Sequence, residues 1–536
     1  MSGIRAICHP GSAVGAAVAQ WRRSRTQRRT ALRHIGSVAA LILAAALVAS
    51  CAGTATDSDP DPDPVAGEPF EVTIQAEDGR MVGTRMALTH PGFEGRGYVT
   101  GFDDPSDMVV FTVTVPATGS YSITVRSLVP IGWGSKTNDV YVGRRKVVEF
   151  VTPDSGAWES PFPGTVRLVE GENELSIRQN WGWFELDSIT ISSSTPATTE
   201  FTDDIPEMPI DPDATPEAVE LYRYLRSIYG TAMIAGQMDL TWDDTVDMKA
   251  RVHNDTGRYP ALMGYDFMNY TIGRWSGLHQ TEEAIRHWND GGIVAFCWHW
   301  RDPRDIQVGN EIPFYTEDTD FRIPMKGREL DTTTEEFAAI QEDVDLIAGE
   351  LLRLQDAGVG VIWRPLHEAS GGWFWWGASR DDGVDPATAQ IALWRYLHDR
   401  LVNYHGLHNL IWTWNGQAES WYPGDDYVDI VGEDVYPGRN VYSSQFGRYY
   451  QALHYPSGSD RMVAMTENGS IPDPDQVAAD GAWWLYFMVW NDGNGPEGVT
   501  DSSNFWTGEY HNDNEHKVHV YNHERVITLD ELPPRE

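Results

Sequence analysis

Two glutamates stand where paired-carboxylate chemistry would need them. Glu368 follows the apolar run Val359–Pro365, and Glu467 follows Met462–Thr466. Cleavage of a glycosidic bond calls for a carboxylic acid to protonate the leaving oxygen and a carboxylate to meet an oxocarbenium-like centre. The two glutamates supply that pair. Spacing along the chain does not give the distance between their carboxyls, so retention and inversion both stay open at this point. Each is one of a larger set. Eight compact apolar runs end in Gln237, Asp266, His299, His367-Glu368, Asn415, Asp434 with Tyr436, Glu467-Asn468 and Trp490-Asn491.

The elements that must position these residues have the rhythm of a closed barrel. The runs are Met233–Gly236, Ala261–Tyr265, Ile293–Trp298, Val359–Pro365, Leu410–Trp414, Val428–Gly432, Met462–Thr466 and Trp484–Val489. Helical signals separate them. Thr215-Pro216 is an N-cap followed by proline at the first helical position. From Thr334 to Ala357, apolar residues at 337, 340, 344, 347, 351 and 354 form one helical stripe. Eight strand–helix alternations over roughly 330 residues predict an α/β (β/α)8 TIM barrel at 205–536, a size usual for that fold. In such a barrel the active site lies at the C-terminal ends of the strands, where the polar residues fall.

The region ahead of it has another period. Met108–Val115, Tyr121–Val125, Asp139–Val142, Val166–Leu168, Leu175–Ile177 and Leu186–Ile191 are short β-like runs broken by turn residues, which predicts an all-β sandwich at 68–192. A polar linker at 193–204 would join the two domains, and 536 residues are more than one core usually serves. Residues 1–50 read as an export signal: seven arginines, no acid, and the apolar run Val38–Val48, too short for a comfortable membrane span. It ends in Val48-Ala49-Ser50-Cys51, which resembles a lipobox, so Cys51 is the expected lipid-anchor site. The Asp/Pro-rich stretch 51–67 would be an extended tether. The expected location is extracellular, attached to the cell surface.

A net charge of −39 opposes binding to nucleic acid or anionic membranes and suits a neutral substrate. If Cys8 is cleaved away and Cys51 is lipidated, Cys297 stands alone and no disulfide framework is possible. The 22 tryptophans point weakly to surfaces that grip something flat.

Two segments carry a specific resemblance. Trp363-Arg364-Pro365-Leu366-His367-Glu368 with Gly372-Trp373-Phe374-Trp375-Trp376-Gly377, and Met465-Thr466-Glu467-Asn468-Gly469, resemble the acid/base and nucleophile segments of glycoside hydrolase family 26. The resemblance implies a retaining endo-β-1,4-mannanase needing no catalytic cofactor, with Glu368 as general acid/base and Glu467 as nucleophile. It implies that His299, His367 and Trp373 shape the subsite of the cleaved sugar, and that Asp434 and Tyr436 orient the nucleophile. Trp490 would add a stacking face and Asn491 a hydrogen bond. The expected partner is mannan or galactomannan, acted on by a monomer. A xylanase or mixed-linkage glucanase, an exo-acting mannobiose-releasing enzyme with the long segment Arg301–Lys326 closing its groove, and a non-catalytic glycan-binding surface protein stay open as alternatives.

The front domain resembles carbohydrate-binding module family 35 through Gln75-Ala76-Glu77 and Asn180-Trp181-Gly182-Trp183-Phe184-Glu185-Leu186-Asp187. That resemblance implies a structural Ca2+ held by Gln75, Glu77 and Asp187, whose oxygens are the donors calcium prefers. Asn180 with Trp181 or Trp183 would contact glycan.

Overall fold

A computed structural model describes residues 70–193, 204–241, 246–270, 279–308, 312–493 and 502–535. The export signal, Cys51 and the tether lie outside the described residues, as does most of the linker.

The front domain is a sandwich of two antiparallel sheets. One sheet runs Arg85–Ala87, Tyr98–Thr100, Glu185–Ser193, Gly119–Leu128, Gly164–Leu168, with Glu71–Gln75 also paired to Glu185–Ser193. The other runs Arg80–Val82, Met108–Val115, Gly171–Trp181, Lys136–Val142, Arg145–Thr152. Alternation makes the sandwich work: in Met108–Val115, Phe111, Val113 and Val115 are buried while Thr112 and Thr114 face water. The inward residues of both sheets form one core that includes Phe111, Ile123, Val125, Ile177 and Ile189. Strand Glu185–Ser193 runs past the expected start of the linker. Ser193 N donates to Phe70 O at 2.7 Å and Phe70 N donates to Ser193 Oγ at 2.9 Å, so Ser193, the first residue of the expected linker, is tied to the sandwich.

The second domain is a closed barrel of eight parallel strands: β1 (Met233–Met238), β2 (Leu262–Asp266), β3 (Ile293–Trp298), β4 (Val361–Pro365), β5 (Leu410–Trp414), β6 (Ile430–Val435), β7 (Met462–Asn468) and β8 (Tyr486–Val489). β1 pairs with both β8 and β2, which closes the ring. All eight expected runs are strands. The helices start where the caps placed them. Thr215 accepts from Ala218 N ahead of Pro216–Ile228, and Thr334 accepts from Phe337 N ahead of Glu335–Asp356. The stripe Phe337, Ile340, Val344, Ile347, Leu351, Leu354 is buried against the barrel. Each such side chain contributes about 1.5–3 kcal/mol by leaving water.

Tryptophan tells a different story from its composition signal. Trp298, Trp300, Trp363, Trp375, Trp376, Trp394, Trp412, Trp414, Trp484 and Trp506 are among the largest fully buried side chains. They fill the wide space between strands and helices, so much of the tryptophan serves packing. The two domains also touch. Phe162 of the sandwich packs edge-on against Phe446 at 4.8 Å, and Gln476 Nε2 donates to Thr165 O at 3.0 Å.

Candidate active site

Glu368 owes its aim to an unusual turn. Immediately after β4, Leu366 and Glu368 both adopt positive φ, 51° and 53°. For residues with a Cβ this left-handed region costs of order 1–2 kcal/mol and persists only where neighbours enforce it. Asn415, just past β5, is the enforcer: Glu368 N donates to Asn415 O at 2.7 Å and faces Asn415 Oδ1 at 3.1 Å. The carboxyl then receives Trp373 Nε1 at 2.8 Å on Oε2. A Cβ on Gly371 would lie 2.1 Å from the Trp373 ring, so that position must be glycine for Trp373 to reach Glu368.

Glu467 depends on a slip in the barrel. β6 and β7 pair Glu433 with Met465 but Asp434 with Glu467, so Thr466 is an extra residue on β7. The bulge lets Thr466 and Glu467 both turn to partners at the barrel mouth, although neighbours on a regular strand point to opposite faces. Arg364 Nη2 donates to Glu467 Oε1 at 2.5 Å, and Tyr436 Oη donates to Oε2 at 2.6 Å. Asp434 neighbours Glu467 across the strands, but no hydrogen bond joins their carboxylates. Asp434 accepts from Arg364 Nη1 at 3.1 Å, Thr466 Oγ1 at 2.7 Å and Asn415 Nδ2 at 3.1 Å, and so is linked to Glu467 through their shared partner Arg364.

Arg364 was not singled out by sequence reasoning, although it sits inside the quoted motif. The available signal was an arginine within the otherwise apolar strand Val361–Pro365, because a buried guanidinium requires carboxylate partners.

Carboxyl oxygens of Glu368, Asp434 and Glu467 all lie within 4.8 Å of one another. Their settings differ. Burial first, then the charges of Asp434 and Glu467, push the Glu368 carboxyl well above its usual range. Burial would lower Arg364, but Asp434 and Glu467 outweigh it and hold the guanidinium well above its ordinary value. Burial and the adjacent Glu467 raise the Tyr436 phenol, which therefore stays a donor. One carboxyl is kept as acid while another is embedded in donors, the division of labour that acid–base pairs use.

The surrounding residues fall into two groups. His299 and His367 meet ring to ring, with their Nε2 atoms 3.2 Å apart, and Trp490 lies 5.7 Å from the His299 ring. Phe314, in the long segment after β3, lies 5.3 Å from His299. That segment is tied down where Thr316 N donates to Trp373 O at 2.7 Å. Asn491, expected to reach the sugar, is instead 1 % exposed and donates to Asp239 O at 2.8 Å. The chain turns its amide into the barrel wall, where a backbone carbonyl needs a donor. Trp375 and Trp376 are likewise packing residues, donating to Trp300 O and His367 O.

In the front module, the loop 94–96 gathers the three expected ligands. Glu94 N donates to both oxygens of Asp187 at 3.1 Å, and Arg96 N donates to Glu77 Oε1 at 2.5 Å. A Cβ on Gly95 would lie 2.6 Å from Glu77 Oε1 and 3.0 Å from Gln75 Oε1. Arg126 Nε is 3.3 Å from Asp187. Gln75 Oε1 and Glu77 Oε2 are buried with no hydrogen-bond partner among the described residues. Asn180 is exposed, with its amide donating to Asp139 Oδ1 at 2.9 Å. The Trp181 side chain lies outside the described residues. Trp183 is half-buried and meets Trp133 edge-on at 5.4 Å. Trp133 is 59 % exposed beside Ile131 at 76 %. Sequence reasoning missed Trp133; its signal was two large apolar residues in the turn-like Ile131-Gly132-Trp133-Gly134.

Comparison with known proteins accords with this layout. Residues 210–531 match glycosyl hydrolase family 26, and residues 72–194 match carbohydrate binding module (family 35). A mannan endo-1,4-beta-mannosidase of Thermothelomyces thermophilus is 40% identical over 483 residues, 87% of this chain and 92% of that protein. Mannan endo-1,4-beta-mannosidase A of Piromyces sp is 33% identical over 86% of this chain and 73% of its own length. Among solved structures, a Podospora anserina GH26-CBM35 beta-(1,4)-mannanase superposes with a TM-score of 0.57 at 36% identity, covering 86% of this chain and 98% of that one. A ruminal GH26 endo-beta-1,4-mannanase gives 0.60 at 28% identity, covering 88% and 100%. With the match extending over the whole barrel, the chain belongs to glycosyl hydrolase family 26 and is a glycoside hydrolase that carries a family 35 carbohydrate-binding module ahead of its catalytic barrel.

Proposed function

We propose that this enzyme is an endo-acting β-1,4-mannanase that cleaves mannan and galactomannan with retention by double displacement. The observation that carries the mechanism is the close carboxyl pair in different settings: Glu368 and Glu467 have oxygens within 4.8 Å, burial pushes Glu368 well above its usual range, and Glu467 accepts from Arg364 and Tyr436. A pair about 5–5.5 Å apart suits retention, whereas inversion needs roughly 6.5–9.5 Å to admit a water.

In the first step Glu467 attacks the anomeric carbon while Glu368 gives its proton to the departing glycosidic oxygen. The C–O bond breaks as a glycosyl ester on Glu467 forms. In the second step Glu368, now carboxylate, takes a proton from water as that water attacks the same carbon and expels Glu467. Arg364 and Tyr436 hold both oxygens of the nucleophile in one plane and carry the charge that returns to it. Substrate and endo action are supported by the activities of the relatives, whose matches cover 87% and 86% of this chain.

In the module, the residues present fit a calcium ion: two buried oxygens without partners, from Gln75 and Glu77, beside the Asp187 carboxylate. Bound there, the ion would rigidify the 94–96 loop. Trp133 and Trp183 with Asn180 make the glycan-contacting tip, which tethers the barrel to polysaccharide and raises its effective concentration. Export and a lipid anchor on Cys51 would keep this monomer at the cell surface; Cys51→Ala should then move the protein from the membrane fraction to the medium.

The decisive experiment is reducing-sugar release from mannan, galactomannan, xylan and mixed-linkage glucan by the enzyme and its Glu467→Ala variant. Activity confined to the mannans, yielding mixed oligosaccharides and lost in the variant, is expected. Activity on xylan or glucan overturns the substrate, mannobiose alone overturns endo action, and an undiminished variant overturns the mechanism.

A further inference from the structure

Asp266 ends β2 almost fully buried, and each of its carboxylate oxygens is engaged. Oδ1 accepts from His299 N at 3.0 Å and from Met268 N at 2.8 Å, while Oδ2 lies 2.6 Å from His299 Nδ1. A carboxylate is an acceptor only, so His299 Nδ1 must carry hydrogen. The far side of the same ring faces His367, with the two Nε2 atoms 3.2 Å apart. Burial first, then His299 and Arg364, push His367 well below its ordinary value, which keeps it neutral with a single N–H.

Two placements of that hydrogen are possible. On Nδ1 it would be a buried donor facing nothing, because His367 Nδ1 has no hydrogen-bond partner among the described residues. On Nε2 it meets the lone pair of His299 Nε2. An unmade bond from a buried N–H costs about 1–3 kcal/mol, so the second placement wins. The hydrogens therefore run in one direction, from His367 Nε2 to His299 Nε2 and from His299 Nδ1 to Asp266. Both ring nitrogens of His299 are used by protein. His367 immediately precedes Glu368, inside the positive-φ turn that also relies on Asn415.

We propose that Asp266 is a positioning residue: it fixes the tautomer of His299, which holds His367 and thereby the turn that aims the acid/base Glu368. This rests on the acid/base reading of Glu368. Without the carboxylate, His299 is free to carry its hydrogen on Nε2. Two N–H groups would then oppose each other across 3.2 Å, and the His367–Glu368 turn would lose its brace on this side.

Asp266→Asn tests the idea with almost no change of shape. Two backbone N–H groups claim the amide oxygen, which leaves the NH2 facing His299 Nδ1 and forces the opposite tautomer. Each variant is assayed on mannan, whose leaving group needs protonation, and on a dinitrophenyl β-mannobioside, whose leaving group does not. Glu368→Ala is the control. If Glu368 is the acid, the control loses kcat/KM on mannan far more than on the aryl glycoside. Absence of that contrast in the control overturns the acid/base reading itself.

Given the contrast, Asp266→Asn should share it: roughly a 10²-fold fall in kcat/KM on mannan, of the size acid catalysis supplies, and a change of under about threefold on the aryl substrate. Equal losses on both substrates, or no loss, overturn the positioning role. Nitrogen-15 spectra of histidine-labelled wild-type enzyme give a reading that does not depend on how the asparagine variant folds. The His299 signals, identified by their disappearance in His299→Gln, should report hydrogen on Nδ1; hydrogen on Nε2 overturns the proposal.

Discussion

On the function proposed above, the barrel mouth and the tip of the module both handle sugar, yet they are built on opposite terms. At the mouth, Glu467, Asp434 and Arg364 are each held by two or more hydrogen bonds on strands locked into a closed sheet. At the tip, Trp133 stands 59 % exposed in a turn and leans edge-on against Trp183. The difference follows from the tasks. Bond cleavage needs charge placed to within fractions of an ångström, and misplacement of about 1 Å can cost 10²-fold. Stacking on the apolar face of a sugar tolerates shifts along that face, so a loop suffices.

Substitutions that strip the mouth should therefore act on rate, and those at the tip on capture. The largest effect belongs to Glu467→Ala, which on the proposed double displacement removes the covalent nucleophile and should lower kcat on mannan by roughly 10⁴-fold or more. Burst and steady-state kinetics would measure it, and a mild effect would dissolve the contrast between the two regions. Arg364→Met comes next. It leaves Asp434 and Glu467 buried without their shared cation, so thermal unfolding should show a loss of about 3–5 kcal/mol along with the fall in activity.

Tyr436→Phe removes one donor to a charged oxygen and should cost about 1.5–3 kcal/mol of activation free energy with little change in melting temperature. The pH profile probes the same wiring. Burial and the neighbouring carboxylates raise Glu368 in the folded enzyme, so the proton it donates is present at low pH and lost as pH rises through that raised value. The alkaline limb of kcat/KM should report this loss. Replacing Asp434 by Asn removes one of the raising charges and should move the limb to lower pH. Trp133→Ala should have the smallest effect on chemistry. Turnover of short soluble oligosaccharides should stay within error, while retention on insoluble mannan weakens by about 0.5–1.5 kcal/mol. A fall in kcat on soluble substrate would mean that the tip is coupled to the mouth.

The two regions also differ in how far they can be read from residues alone. Hydrophobic period and caps are local, and they were sufficient for all eight barrel strands and for the helix starts at Thr215 and Thr334. Glu368 and Glu467 were legible because strand ends of a barrel share one rim. In the module, the short strands Arg80–Val82, Arg85–Ala87 and Tyr98–Thr100 left no clear period, because three residues carry too little alternation. Asn491 shows the limit of the strand-end rule: position at the rim does not say whether a side chain turns to the groove or into the wall.

What the sequence by itself determined was the order of strands and helices and the split into a β-sandwich and a barrel, set by local pattern, and it named Glu368 and Glu467, whose carboxyls the fold brings together, as the candidate pair. Tertiary structure alone decided the bulge at Thr466, the left-handed turn at Glu368, the bridging role of Arg364, the contacts that link His367 through His299 to Asp266 and the meeting of Trp133 with Trp183. Each of these joins residues from different strands or loops. Their distances depend on how the closed sheet staggers one strand against the next, and no stretch of sequence carries that register on its own.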